Sequence, residues 1–346
     1  MAYPQNETHQ VIDIDETALT TALSLCNDII DHSGKALTAD ISENFMPETE
    51  NNIESLFEFQ FSINDGTTAG RQNSGMNLNT PRWQPYYRCC DFNKSSYNLV
   101  NAFRTGADGL PLLETFNDAE LHNNYTNYFS GNTFDPRISH TCGIPGHPWK
   151  YDPELLYDSL GSRNPDVYGY IHSTKEQVHP FSRLQYQNRG NSMNWRVLRY
   201  AQVLLWKAEI LIKLGREDEA LPVINQIRQR ANNSQERLVM ADGTPVLNYN
   251  IALYEDGVNC TWDNAFAWKA YMFEDRLELA GEGTRFFNLV RWGIAADVLN
   301  AYFEKEAQRR SWNSNAFFTS GKHEYLPIPQ DVINLSEGVY VQNINY

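Results

Sequence analysis

The 346 residues carry 43 acidic and 28 basic side chains, a formal net charge of −15, and a surplus of that sign argues against a polyanion such as nucleic acid as partner. Hydrophobic residues at 41% against 21% charged describe a chain that folds around a sizeable core rather than a disordered one. No apolar run reaches the roughly eighteen residues that a membrane-spanning helix needs, and the first residues hold neither a basic nor an apolar stretch of the kind a signal sequence requires.

In chain order, Leu19, Ala22, Leu23, Cys26, Ile29 and Ile30 recur at steps of three and four and predict an amphipathic helix over 15–30, closed by Ser33-Gly34. Phe57, Phe59 and Phe61 then alternate with polar residues, as in a strand with one buried face. From 64 to 194 periodicity is poor, with Gly, Pro, Asn and aromatic residues at short intervals. An ordered irregular segment of that length either carries function or covers the core. Two aromatic groups stand out within it. Trp83, Tyr86 and Tyr87 lie beside Arg82 and Gln84, and Trp149 and Tyr151 lie beside His147 and Lys150. Flat rings stack on the C–H faces of sugars while neighbouring polar groups meet the hydroxyls; peptides use similar surfaces, and large rings also fill cores beneath loops.

Regular structure returns at Trp195. Val197, Ala201, Leu204, Ala208 and Leu211 mark one helix ended by Gly215, and Ala220, Ile224, Ile227 and Ala231 mark the next. Their short Gly-Arg-Glu-Asp connection makes the pair antiparallel, with Pro222 near the first turn of the second helix. The spacing of Ala208, Gly215 and Ala220 is similar to a tetratricopeptide-type helix pair. Trp262, Phe266, Ala270, Phe273, Leu277 and Ala280 predict a third helix, so the chain is mostly α with minor β.

Catalytic and metal-binding patterns are sparse. Glu278 and Glu282 are four apart, a spacing that could serve glycoside hydrolysis, but Arg276, Arg285 and Arg291 stand close in sequence and favour structural ion pairs. Arg291-Trp292 reads as a cation–π or packing contact. The eight histidines form no HExxH and no i, i+4 pair, and no phosphate loop, dinucleotide fingerprint or nucleophile elbow occurs, so neither metal nor cofactor is expected. The five cysteines read as free thiols, because no CxxC pairs them and a bridge within Cys89-Cys90 would close a strained ring.

Four blocks carry a family resemblance. They are Phe134-Asp135-Pro136-Arg137; the run from Arg199-Tyr200-Ala201 through Asn225-Gln226-Ile227-Arg228; Asp275-Arg276 through Glu282-Gly283-Thr284-Arg285 to Arg291-Trp292-Gly293; and Leu326-Pro327-Ile328-Pro329 with Gln342-Asn343-Ile344-Asn345-Tyr346. In this order they resemble the SusD/RagB family of bacterial outer-membrane nutrient-binding proteins, with Asp275, Asn288 and Ile344-Asn345 departing from its usual residues. The resemblance implies a SusD-like helical scaffold divided into a helix and strand segment over 1–63, a loop-rich ligand-binding region over 64–194 and a helical region over 195–346. It implies non-catalytic binding of an oligosaccharide at the cell surface and delivery to a SusC-like, TonB-dependent transporter. A peptide ligand and a glycoside hydrolase remain the alternatives. Members usually begin with a lipoprotein signal and several helical repeats, so a lipid anchor is expected of the full-length protein and absent from this sequence. The family's ligand loops share no motif, and Arg82, Trp83, Tyr86, Tyr87, Trp149 and Tyr151 are candidates by composition alone.

Overall fold

The computed structural model describes residues 2–63, 65–67, 70–76, 78–83, 90–121, 125–182, 191–310 and 313–346. These fall in two compact units, one of residues 23–282 and one of residues 1–22 with 283–346. After α1 (Glu16–His32), the chain runs through β1 (Ser55–Phe59), α2 (Tyr97–Ala102), β2 (Arg104–Thr105), α3 (Tyr125–Ser130) and β3 (Thr133–Phe134). Next come α4 (Arg137–Thr141), β4 (Cys142–Gly143), β5 (Pro148–Trp149), β6 (Asp152–Leu156), α5 (Pro165–Tyr168), β7 (His172–Ser173) and β8 (Trp195–Arg199). The long helices follow as α6 (Tyr200–Lys213), α7 (Glu217–Asn233) and α8 (Asn264–Glu278), and then α9 (Arg285–Arg291), α10 (Ala295–Arg309) and α11 (Gln330–Leu335). The architecture is mostly helical, and the described strands pair only two by two: β1 with β8, β2 with β3, β4 with β7 and β5 with β6.

The predicted antiparallel pair is α6 and α7. Ala208 and Ala220 are wholly buried, and small residues of this kind let paired helices approach closely. Gly215 ends α6 at φ 70°, a left-handed conformation natural to glycine. Two boundaries differ from the sequence reading. The first five residues of the expected helix, Trp195–Arg199, form β8 because β1 offers them an antiparallel partner, and α6 begins only at Tyr200. Pro222 sits in the second turn of α7 rather than the first, at the cost of one helical hydrogen bond.

The polarity of β1 is also opposite to expectation. Phe57 and Phe59 are 49% and 56% exposed, while Ser55 and Glu58 are buried. Register shifts on both sides of Phe57 break the simple alternation. Glu58 turns inward because Arg196, directly across the ladder, supplies its counter-charge at 2.5 Å. Among the cysteines, Cys26, Cys142 and Cys260 are free, but Cys90 is disulfide-bonded, which corrects the reading of five free thiols. Cys89 lies outside the described residues.

The loop-rich region and the long helices share one interior. Phe103, Phe134, Ile138 and Ile171 pack with Phe273 and Leu277 of α8. Beside this apolar cluster lies a buried ionic one. Arg137 bridges Asp135, Glu274 and Glu278, and Arg199 bridges Glu54, Glu278 and Glu282. Arg228 holds Glu274, Arg230 holds Glu54 and Glu278, and Lys175 holds Glu282. Each carboxylate has a cation, as burial of charge demands. Three of the four family-like blocks meet in this network.

The fourth block acts within the smaller unit. The Gln342 side chain accepts from the Ile328 N–H at 2.8 Å and donates to the Ile328 carbonyl at 2.9 Å. The terminal segment is thereby fastened onto the Leu-Pro-Ile-Pro turn. In the same unit the Arg291 guanidinium stands 5.5 Å from the Trp292 ring centroid, the cation–π contact expected from sequence.

Candidate functional site

The aromatic candidates occupy three different settings. Trp149 is 0% exposed, and its ring lies 5.0 Å from Tyr157, 5.6 Å from His172 and 6.0 Å from Trp83. Beneath it is Gly143, where a Cβ would come within 2.4 Å of the indole. Trp149 therefore packs the interior and offers no face to a ligand, which corrects its reading as a platform; burial of so large an apolar ring outweighs any exposed role. Trp83 is half-buried against the same cluster, and the exposed Arg82 is anchored by its backbone N–H on the Gly161 carbonyl. Tyr151 is half-buried at a separate cavity, with its hydroxyl 2.9 Å from His140 Nδ1. Tyr86 and Tyr87 lie outside the described residues.

A different set of rings faces outward. Phe57 and Phe59 have centroids 5.4 Å apart, and Trp195, 37% exposed, is paired with Phe59 across the ladder. Directly opposed residues of an antiparallel pair share a face, so the ribbon presents an apolar shelf. Trp195 also lines a cleft with Phe45, Met76 and Met193 as apolar walls and Asn73, Asn194, Arg196, Lys175, Glu176 and Glu282 as polar ones. The sequence alone does not disclose this surface, because alternation in 57–61 predicts a strand with its rings toward the core. The available signal was Glu58 between the phenylalanines, since a charge on the inward face needs a partner and Arg196 provides it.

The cleft is braced from behind. Arg196 donates through Nε to Glu58 at 2.5 Å and through Nη1 to the Asn44 side-chain oxygen at 2.6 Å. Asn194 receives the Phe61 N–H at 3.0 Å and donates to Glu58 and Gln60. Lys175 reaches Glu282 at 2.7 Å and sits 4.7 Å from the Phe45 ring centroid. Burial lowers the Lys175 pKa and raises that of Glu176. Burial would also raise Glu282, but Arg199 and Lys175 override it and hold that carboxyl below its ordinary range. Opposite shifts in neighbouring carboxyls are the pattern of an acid–base pair. Here, however, both Glu282 oxygens are engaged by cations, and Glu176 is fixed by Asn93 at 2.5 Å.

Glu278 and Glu282 are ion-paired, as their charged surroundings suggested, but not with the arginines adjacent in sequence. Their partners are Arg137, Arg199, Arg230 and Lys175. Among the described residues no group of three or more His, Cys, Asp or Glu side chains is placed to hold a metal ion, and no helix is long and apolar enough to cross a membrane.

Comparison with known proteins fits this geometry. SusD-like protein P38 of Formosa agariphila is 35% identical over 155 residues, which span 43% of this chain and 26% of that protein. A SusD homolog of Bacteroides thetaiotaomicron superposes over 96% of this chain and 60% of its own, with TM-score 0.64 and 18% identity. Surface glycan-binding protein A of the same organism, in complex with laminarihexaose, gives TM-score 0.55 and 22% identity over 96% of this chain and 60% of its own. This chain thus spans about 60% of the length of these structural neighbours. The SusD family profile matches residues 53–346, which include the buried ionic network, the ribbon and the C-terminal clasp: the chain belongs to the SusD family.

Proposed function

We propose that the chain binds an oligosaccharide at the outer face of the bacterial outer membrane, leaves it chemically unaltered and delivers it to a SusC-like, TonB-dependent transporter. The observation that carries this reading is the outward aromatic ribbon of Phe57, Phe59 and Trp195 over a cleft rich in amide and charged groups. Sugar rings meet such a shelf through their C–H faces, while polar groups of the cleft that the protein leaves open meet their hydroxyls. The laminarihexaose complex of a structural neighbour supports the ligand class and makes that hexasaccharide the first probe.

Hydrolysis is the rival reading. It would require one carboxyl to hold a proton near neutral pH and another to stand open to the substrate. Glu278 and Glu282 are both held ionised against guanidinium groups, which favours the binding role. The two readings separate by assay: titration of laminarihexaose and other soluble glycans is expected to give saturable binding with no release of reducing sugar. Steady release by the purified protein refutes the proposal.

A further inference from the structure

The two-residue turn between β5 and β6 places Lys150 at φ 50° and Tyr151 at φ 65°. A turn needing two consecutive positive φ angles favours Asn-Gly. Holding long side chains there is uphill, and such outliers concentrate where side-chain placement matters. Both side chains line one partly enclosed cavity together with Ser139, Cys142, His147 and Arg237.

The charge of that cavity is unusual for this protein. In a chain of net charge −15, its lining holds a lysine and an arginine and no carboxylate. Lys150 Nζ donates to the carbonyls of Phe45 at 2.9 Å and Thr174 at 3.1 Å, and an ammonium has a third N–H to place. Neither Lys150 nor Arg237 forms an ion pair among the described residues. Glu176 and Glu48 influence Lys150 only from outside the cavity, and burial depresses the lysine pKa to about 7. His147 is half-buried, with Nδ1 shielded from solvent and lacking a hydrogen-bond partner among the described residues. His140 Nε2 stands 2.7 Å from the Ser234 carbonyl, so it must carry the proton. His140 Nδ1 then accepts from the Tyr151 hydroxyl, which commits that proton. The charged groups left to bind an incoming molecule are therefore donors, the ammonium and the guanidinium, and the His147 ring nitrogen joins them in the tautomer that carries its proton on Nδ1.

We propose that this cavity beneath the β5–β6 hairpin is a binding site for a small oxyanion, held between Lys150 and Arg237 beside the His147 ring. The oxyanion is either a free inorganic one or the carboxylate of an acidic sugar. The site is distinct from the Trp195 cleft, from which the Phe45 backbone and the Thr174-Lys175 peptide divide it, and it does not depend on the glycan reading.

The test is calorimetric titration of the whole chain with inorganic phosphate, with glucuronate and with glucose as the uncharged control. Saturable binding of phosphate or glucuronate, absent for glucose, is expected. It should weaken about tenfold or more in Arg237→Gln, as for loss of one charge-assisted hydrogen bond. Glucuronate alone binding assigns the anion to a sugar, whereas phosphate binding as well assigns it to the free ion, and either supports the site. Arg237 is exposed, so its variant keeps the fold, and Lys150→Met is the second variant. Failure of both anions to bind overturns the proposal, as does binding that neither variant weakens.

Discussion

Glu278 is fully buried among Arg137, Arg199 and Arg230, and removal of one partner from such a cluster leaves charges that neither water nor protein compensates. Glu278→Gln is expected to destabilise the larger unit by about 3–5 kcal/mol in chemical denaturation. A loss below about 1 kcal/mol would show that the cluster relaxes without it. The same groups set the acid limit. Burial would raise Glu54, but Arg230 and Arg199 bring it down to about 2. A carboxyl depressed in the fold contributes stability above its unfolded pKa near 4.5, and that contribution is lost as pH falls from there towards 2. Stability measured from pH 6 to pH 2.5 should therefore drop steeply below about 4.5, and a flat profile would contradict the ionised network. Lys150 gives a slope of the same sign in a higher pH window. Its folded pKa of about 7 lies below its unfolded value, so stability from this group rises between about pH 7 and 10.5. That rise should vanish in Lys150→Met. The sequence announced paired carboxylates at Glu278 and Glu282 but not their partners, because Arg137 and Arg199 are distant along the chain and only the fold brings them together.

Elements were legible where a single periodicity decided them. The stepping of Ala201, Leu204, Ala208 and Leu211 against Ala220, Ile224 and Ile227 specified α6 and α7, because helix pairing needs no distant information beyond the small residues at the contact. Ala208→Leu should overpack that contact and cost about 1–3 kcal/mol, read by denaturation. Strand β8 was not legible. Trp195–Arg199 fits a helical register equally well, and only its ladder with β1 makes it extended. The orientation of β1 failed for a related reason: alternation shows that a strand has two faces but not which one is buried. Ser substitutions at Phe57 and Phe59 discriminate. Exposed rings should be lost with a stability change within about 0.5 kcal/mol and with weaker glycan binding, whereas core rings would cost several times more. The Trp149 cluster shows the same ambiguity for aromatics in irregular sequence, since composition does not distinguish a platform from a plug.

At the scale of the whole molecule, the family-like blocks and the proposed binding surfaces are largely separate. Asp135, Arg137, Arg199, Arg228, Arg230 and Glu278 form an interior, while Phe57, Phe59 and Trp195 form a surface. Recognition of the family therefore made the scaffold predictable and left the ligand site to the structure. The most direct measurement is titration of soluble glycans, beginning with laminarihexaose, against the wild-type chain and Trp195→Ala, with reducing sugar monitored in parallel. Binding weakened by roughly 1–2 kcal/mol, about tenfold, in the variant, with stability retained and no sugar released, is the expected result. Equal affinity of the two proteins, or release of sugar by either, would contradict it.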